Sequence, residues 1–234
     1  EEEGVLRISG SSDAIEDIRL SFETQGDVAL AKFSVATVAG VLKLYLRELP
    51  EQVIPEALVG AVLHALDRVP EDEKDSAAHK VAVDGMVAVL LGIQPGFRQL
   101  LLALLELGAA VAENCDVNHM TVSNVATVLG PNLMRSTASD PGAMIQEALA
   151  INRATHFMIQ HFAVLGPALS SSLAREGAPA KSFRHAHPEE SAQEEEASCM
   201  QAARRAAGAV AGGRRVSDLA NHSPVSALSA ARVG

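Results

Sequence analysis

Tryptophan is absent from this chain, tyrosine occurs once, and aromatic residues make up only 3% of it. Sheet sandwiches draw on aromatic and β-branched side chains for their cores. With 48% hydrophobic residues overall, the core here must come from Leu, Val, Ala, Ile and Met, which suits helices. No period-2 strand of useful length and no internal repeat occurs. Cysteine is equally sparse. Cys115 and Cys199 are the only two, and they stand far apart, so no disulfide framework is expected and the default is a reducing, cytoplasmic setting. The most apolar run, Leu100 to Val111, is interrupted by Glu106 and reads as too short to cross a bilayer. No signal peptide or transmembrane segment is expected.

Positive charge is also in deficit. Lys and Arg number 19 against 29 Asp and Glu, a net charge of -10. No basic cluster interleaved with aromatics offsets this, so nucleic acid is not an expected partner. Catalytic signatures are missing as well. There is no G-x-x-x-x-G-K-[ST] and no G-x-G-x-x-G. The eight His have no H-E-x-x-H or C-x-x-C companions, and His156 and His161, five apart, do not share a helix face. No local motif pairs a Ser with His and Asp. The chain reads as neither a nucleotide binder nor an enzyme with its own active site, and no metal or cofactor of its own is expected.

What is present is helical periodicity. Ser12 or Asp13 caps a helix with Ile15, Ile18 and Phe22 inward, ended by Gly26. Ser34 caps the next. There Val38, Val41, Leu42, Tyr45, Leu46 and Leu49 form one apolar stripe, Lys43 and Arg47 stack on the far side, and Pro50 stops the helix. Pro55 starts a helix over 56–68. Others follow over 76–91, 96–112 and 121–129, the last broken by Gly130-Pro131. Asp140-Pro141 opens a final helix to Leu165, closed by Gly166-Pro167. Its inward side holds Ile145, Ala148, Ile151, Thr155, Met158, Ile159 and Phe162. The first ten residues read as extended. The fold class is all-α, a multi-helix bundle over residues 1–166. From residue 167 to 234 the composition turns to Ser, Glu, Arg, Ala and Gly runs, a low-complexity tail expected to be disordered.

Taken alone, Lys43 and Arg47 fit a solvated basic edge as well as a binding face. Two further stretches bear on the choice. Gly40 to Pro55, with its L-K-x-x-x-R-E-L-P run, resembles the central signature of the Rho GTPase-activating (RhoGAP) domain family. Gly4-Val5-Leu6-Arg7-Ile8-Ser9-Gly10 is similar to that family's arginine-finger loop. Asn118 to Leu133, through Gly130-Pro131-Asn132, resembles its third block. The three stand in family order, and the resemblance runs from about Glu3 to Phe162.

The resemblance implies an all-helical activator of Rho-family small GTPases. It would bind a GTPase in its GTP-bound state, with GTP and Mg held by that partner, and serve cytoskeletal signalling. It implies that Arg7 is the arginine finger, that Lys43 contacts the GTPase switch region, that Arg47 braces the finger loop, and that Asn132 lines the same groove. An always-charged guanidinium with a rigid fork of donors suits the charge that builds on a phosphate in transfer. Read without the resemblance, Arg7 is a surface arginine on a Gly-bounded loop, and Asn132 is a turn residue beside Pro131. The chain also departs from the family. His119 replaces a usual Lys and Phe97 a usual Asn. The chain starts almost at the finger loop, where the family has a preceding helix, so the expectation is a weakly anchored Arg7. A catalytically weak GTPase-binding scaffold is the alternative function. In the tail, Arg214-Arg215-Val216-Ser217 resembles a basophilic kinase site, and Ser223-Pro224 a proline-directed one.

Overall fold

A Ser34 hydroxyl that accepts from the Thr37 N–H at 3.2 Å begins helix α2, Val35–Glu48, as the sequence suggests. The same device recurs twice. Thr121 caps α7, Val122–Leu133, and Asp140 caps α8, Pro141–Gln160, where Pro141 takes the first turn. These belong to a computed structural model that describes residues 2–26, 28–66 and 77–176. The remaining helices are α1 (Ser12–Gln25), α3 (Glu56–His64), α4 (Ala77–Leu90), α5 (Pro95–Glu113), the single turn α6 (Cys115–Asn118) and α9 (Phe162–Arg175). A 3-10 turn, Leu30–Lys32, joins α1 to α2. No strand occurs among the described residues.

The core gathers around α5. Leu101, Leu104, Leu105 and Val111 are buried there, against α7, α8 and α9. This helix is longer than the apolar run alone suggested: 19 residues at mean hydropathy 1.3, long and apolar enough to cross a membrane by length and composition. In this fold it is the central packing helix. Its Arg98 is 1% exposed, donating to the Leu91 carbonyl at 2.9 Å and pairing with Glu176.

Two Gly-Pro pairs do not end helices. Helix α7 runs through Gly130-Pro131 to Leu133. Gly130 is where α8 comes close, since a Cβ there would meet Asn152 Oδ1 at 2.8 Å. The last helix bends by 82° at His161 rather than closing at Gly166-Pro167, and α9 continues to Arg175. A mid-helix proline costs about 3 kcal/mol. Burying a leucine contributes about 1.5–3 kcal/mol, and Leu165 and Leu169 are both fully buried, so packing outweighs the break. The packed part therefore extends past the expected boundary at 166 to residue 176. The rest of the expected tail, with Ser217 and Ser223, lies outside the described residues.

Some inward assignments also change. Tyr45 (41% exposed) and Ile145 (62% exposed) face out, as does Phe22, while Ile18, Ile151, Met158 and Ile159 are buried. Helix α2 is rolled about its axis from the expected orientation because Gly40 packs directly on α1. A Cβ at Gly40 would lie 2.4 Å from Ile15 Cδ1. The roll turns Lys43 toward the inside, onto the face of the buried Ala39 and Leu46.

Candidate functional site

The segment before α1 is a tight turn, not an extended strand. The Arg7 and Ile8 N–H groups both donate to the Gly4 carbonyl at 2.9 Å. Gly4 lies at φ 69°, natural for glycine, and Leu6 at φ 68°, unusual for a branched residue. Two things hold Leu6 there. Its side chain is buried in the core at 4% exposure, and its carbonyl accepts from Lys43 Nζ at 2.7 Å. Arg7, next in the chain, is exposed, and its guanidinium makes no hydrogen bond or ion pair to a described residue.

Both ends of the turn are fastened. The Gly4 N–H donates to the Asn118 carbonyl at 2.8 Å, and the Gly10 N–H donates to the Ala36 carbonyl at 3.2 Å. Gly10 is pressed against α2, where a Cβ would lie 2.4 Å from Thr37 Cα. Asn118 is itself buried and fixed. Its Nδ2 donates to the Val111 carbonyl and its Oδ1 accepts from the Met120 N–H, each at 2.8 Å. The loop carrying Arg7 is thus held at three points, by α2, by Lys43 and by the α6–α7 turn, contrary to the weak anchoring expected from the sequence.

Of the two cations on α2, Lys43 and not Arg47 bonds the loop. Burial, and then the nearby Arg47 charge, lower the Lys43 ammonium below its ordinary pKa. Arg47 is exposed and its guanidinium makes no hydrogen bond or ion pair to a described residue; its carbonyl accepts from Arg135 Nη2 at 2.8 Å. Asn132, in the last turn of α7, is half-buried and its Nδ2 donates to the Val128 carbonyl of its own helix at 2.7 Å. Lys43 is thus bonded to the residue before Arg7, Arg47 lies one turn along α2 from Lys43, and one N–H of Asn132 is used within its own helix. His119, in place of the family's Lys, takes a left-handed φ of 57° and caps α6. Phe97 is half-buried in the first turn of α5.

Sequence reasoning missed Arg135 and Asn118. The signal for Asn118 was present in its place at the head of the third motif block. Arg135 sits two residues past α7 and becomes visible only through contacts 83 and 88 residues away. A separate cleft of about 410 Å³ is lined by Ser123, Thr127, Asn152, His156 and Gln160 among others. None of Arg7, Lys43, Arg47 or Asn132 lines it, so it is not the site of the loop chemistry. Among the described residues no cluster of three or more His, Cys, Asp or Glu is arranged to hold a metal.

Comparison with known proteins gives a family. The RhoGAP domain model matches residues 1–138. Rho GTPase-activating protein 25 of Mus musculus is 32% identical over 167 residues, covering 71% of this chain and 25% of that protein. Rho GTPase-activating protein gacY of Dictyostelium discoideum is 29% identical over 164 residues, covering 70% of this chain and 22% of that protein. The chain thus spans a quarter or less of the length of these curated relatives. Among solved structures, the BH domain from GRAF, the GTPase regulator associated with focal adhesion kinase, aligns with a TM-score of 0.59 at 23% identity, over 71% of this chain and 85% of that one. Human Rho GTPase activating protein 15 aligns with a TM-score of 0.59 at 22% identity, over 69% of this chain and 74% of that one.

Proposed function

The chain belongs to the RhoGAP domain family, and from that premise we propose that it accelerates GTP hydrolysis by a Rho-family small GTPase, with Arg7 as the residue inserted into the partner's site. The observation that carries this reading is an exposed guanidinium, without a partner among the described residues, on a turn fastened at three points. Arg7 projects from a turn fixed by Asn118, Lys43 and Ala36. Phosphoryl transfer gives a protein little covalent work, and most of the gain comes from position and charge. A pre-ordered loop supplies the position. The always-charged fork of arginine supplies the charge where the leaving oxygens become more negative.

On this reading GTP and Mg are bound by the partner, and this chain contributes no cofactor and no active site of its own. Lys43 acts chiefly on the loop, holding Leu6 so that Arg7 points outward. Arg47 takes the contact with the partner's switch region. Asn132 supports the groove from the end of α7, one Nδ2–H held by the Val128 carbonyl and its second N–H and Oδ1 left to meet the partner. The activity belongs in the cytoplasm, where GTP-loaded partners are available.

The test is single-turnover GTP hydrolysis by a panel of Rho-family GTPases with and without the chain. Acceleration of at least one member supports activation. Binding to the GTP-bound form without acceleration would instead make the chain a scaffold, and neither effect on any member would remove the reading.

A further inference from the structure

Arg135 lies in the segment that leaves α7. This segment runs beside residues 52–54: the Ile54 N–H donates to the Leu133 carbonyl at 3.0 Å, and the Arg135 N–H donates to Gln52 Oε1 at 2.5 Å. Gln52 is buried, so the backbone of Arg135 is placed by the core. The next residues are pinned from the other side. Glu147 of α8 accepts from the Ser136 hydroxyl and from the Thr137 and Ala138 N–H groups. Those donors hold its carboxyl below the ordinary carboxylate range. Between these two fastenings the Arg135 side chain crosses to the C-terminal end of α2 and donates from Nη2 to the Arg47 carbonyl at 2.8 Å.

The simplest account of that bond is a helix cap. The last carbonyls of a helix lack partners and carry the negative end of its dipole, so a cation there is favourable. A cap uses one donor of the five in a guanidinium. The side chain is otherwise exposed, and among the described residues no carboxylate lies within ion-pair distance of it. The nearby carboxylate Glu48 is turned away, 3.7 Å from Arg19. Lys43 is bonded to the residue before Arg7, Arg47 is one turn along α2, and Arg135 reaches the Arg47 carbonyl, so four cations are linked in sequence with no ion pair among the described residues, on a chain whose net charge is -10. Concentrating unneutralised positive charge on one face of an acidic protein disfavours the isolated chain and favours a partner of opposite charge.

We propose that Arg135 is a further residue of the partner-binding face, holding the end of α2 with one nitrogen and offering the rest of its guanidinium to an acidic side chain of the GTP-bound partner. The inference rests on the GTPase reading above and adds an affinity determinant outside the three stretches Gly4–Gly10, Gly40–Pro55 and Asn118–Leu133.

The experiment compares the parent chain with Arg135→Gln and Arg135→Lys, measuring Kd for a partner loaded with a non-hydrolysable GTP analogue at low and high salt, together with thermal midpoints. If the charge is used, Arg135→Gln raises Kd at low salt by about three- to tenfold and flattens the salt dependence, while Arg135→Lys retains it. If Arg135 is a cap alone, both variants keep the parent's salt dependence, and any loss of affinity follows the thermal midpoint; that outcome overturns the proposal. A parent chain that binds no GTP-loaded Rho-family member would overturn the GTPase reading and this inference with it, whereas a parent that binds with the salt dependence unmoved in Arg135→Gln overturns the inference alone.

Discussion

Replacing Lys43 by Met keeps an unbranched side chain of similar length and removes the ammonium, leaving the Leu6 carbonyl without its donor at 2.7 Å. A hydrogen bond from a charged donor contributes about 1.5–3 kcal/mol. Lys43 is half-buried, so water replaces part of that, and the expected net loss is about 1–2 kcal/mol. Leu6 meanwhile sits at φ 68°, a conformation that costs a residue with a Cβ about 1–2 kcal/mol. The brace and the strain are of the same size, so without the brace the loop's present form nearly balances relaxed alternatives. A change of about 1–2 kcal/mol alters a population ratio about 5–30-fold. That change takes the loop from predominantly its present form to near balance, where about half the molecules keep it, so the rate of partner GTP hydrolysis at saturating Lys43→Met should fall about twofold. Kd for the GTP-bound partner should move little, because Arg47 and Arg135 stay in place. The assay is single-turnover hydrolysis across a titration of the variant, which separates the saturating rate from the half-saturating concentration. A raised half-saturating concentration with an unchanged saturating rate would make Lys43 a contact residue, not a brace.

Leu169→Ala tests whether α9 is part of the domain. The side chain is fully buried, so the variant should lose about 2–5 kcal/mol, read as a fall in denaturation midpoint, and a solvated tail would show no change. The pH dependence of stability tests the α8–α9 bend. His161 Nε2 lies 2.7 Å from His79 Nε2, and burial, with the neighbouring His79 and His156, lowers the His161 pKa. The unfolded chain then takes up this proton at a higher pH than the folded one. The stabilisation is complete above the unfolded value of about 6.5 and is lost as pH falls below it toward the depressed folded value. The thermal midpoint should drop between about pH 7 and pH 5, and His161→Phe should reduce the drop; an equal drop in both would assign the effect to other groups.

The helices and several of their starts were legible because their signals are local: Ser34, Pro55 and Asp140 mark helix entrances, and the apolar period marks the interiors. The three motif blocks were legible as a set. Helix ends at Gly130-Pro131 and Gly166-Pro167 were misread because local punctuation lost to burial of Leu133, Leu165 and Leu169. The facing of Tyr45 was misread because the roll of α2 depends on Gly40 meeting Ile15, a contact with another helix. The left-handed turn at Leu6 has no local signature, since a branched residue is disfavoured there, and the Lys43 bond that holds it spans 37 residues of sequence. Arg135 was invisible for the same reason. The finger motif could be read as a string; the structure adds the three fastenings that hold it.

Activation by this chain, as proposed, depends on the entry of Arg7 into the partner's site during hydrolysis. Its most direct measurement is the single-turnover rate of a responsive Rho-family GTPase with saturating parent chain and with saturating Arg7→Ala, with Kd for the GTP-bound form determined for both. Stimulation by such an arginine is worth about 10³–10⁵ in rate in other GTPase systems. The variant is expected to bind with nearly the parent's affinity and to lose most of the stimulation. Stimulation by Arg7→Ala equal to the parent's, at equal Kd, would contradict that dependence.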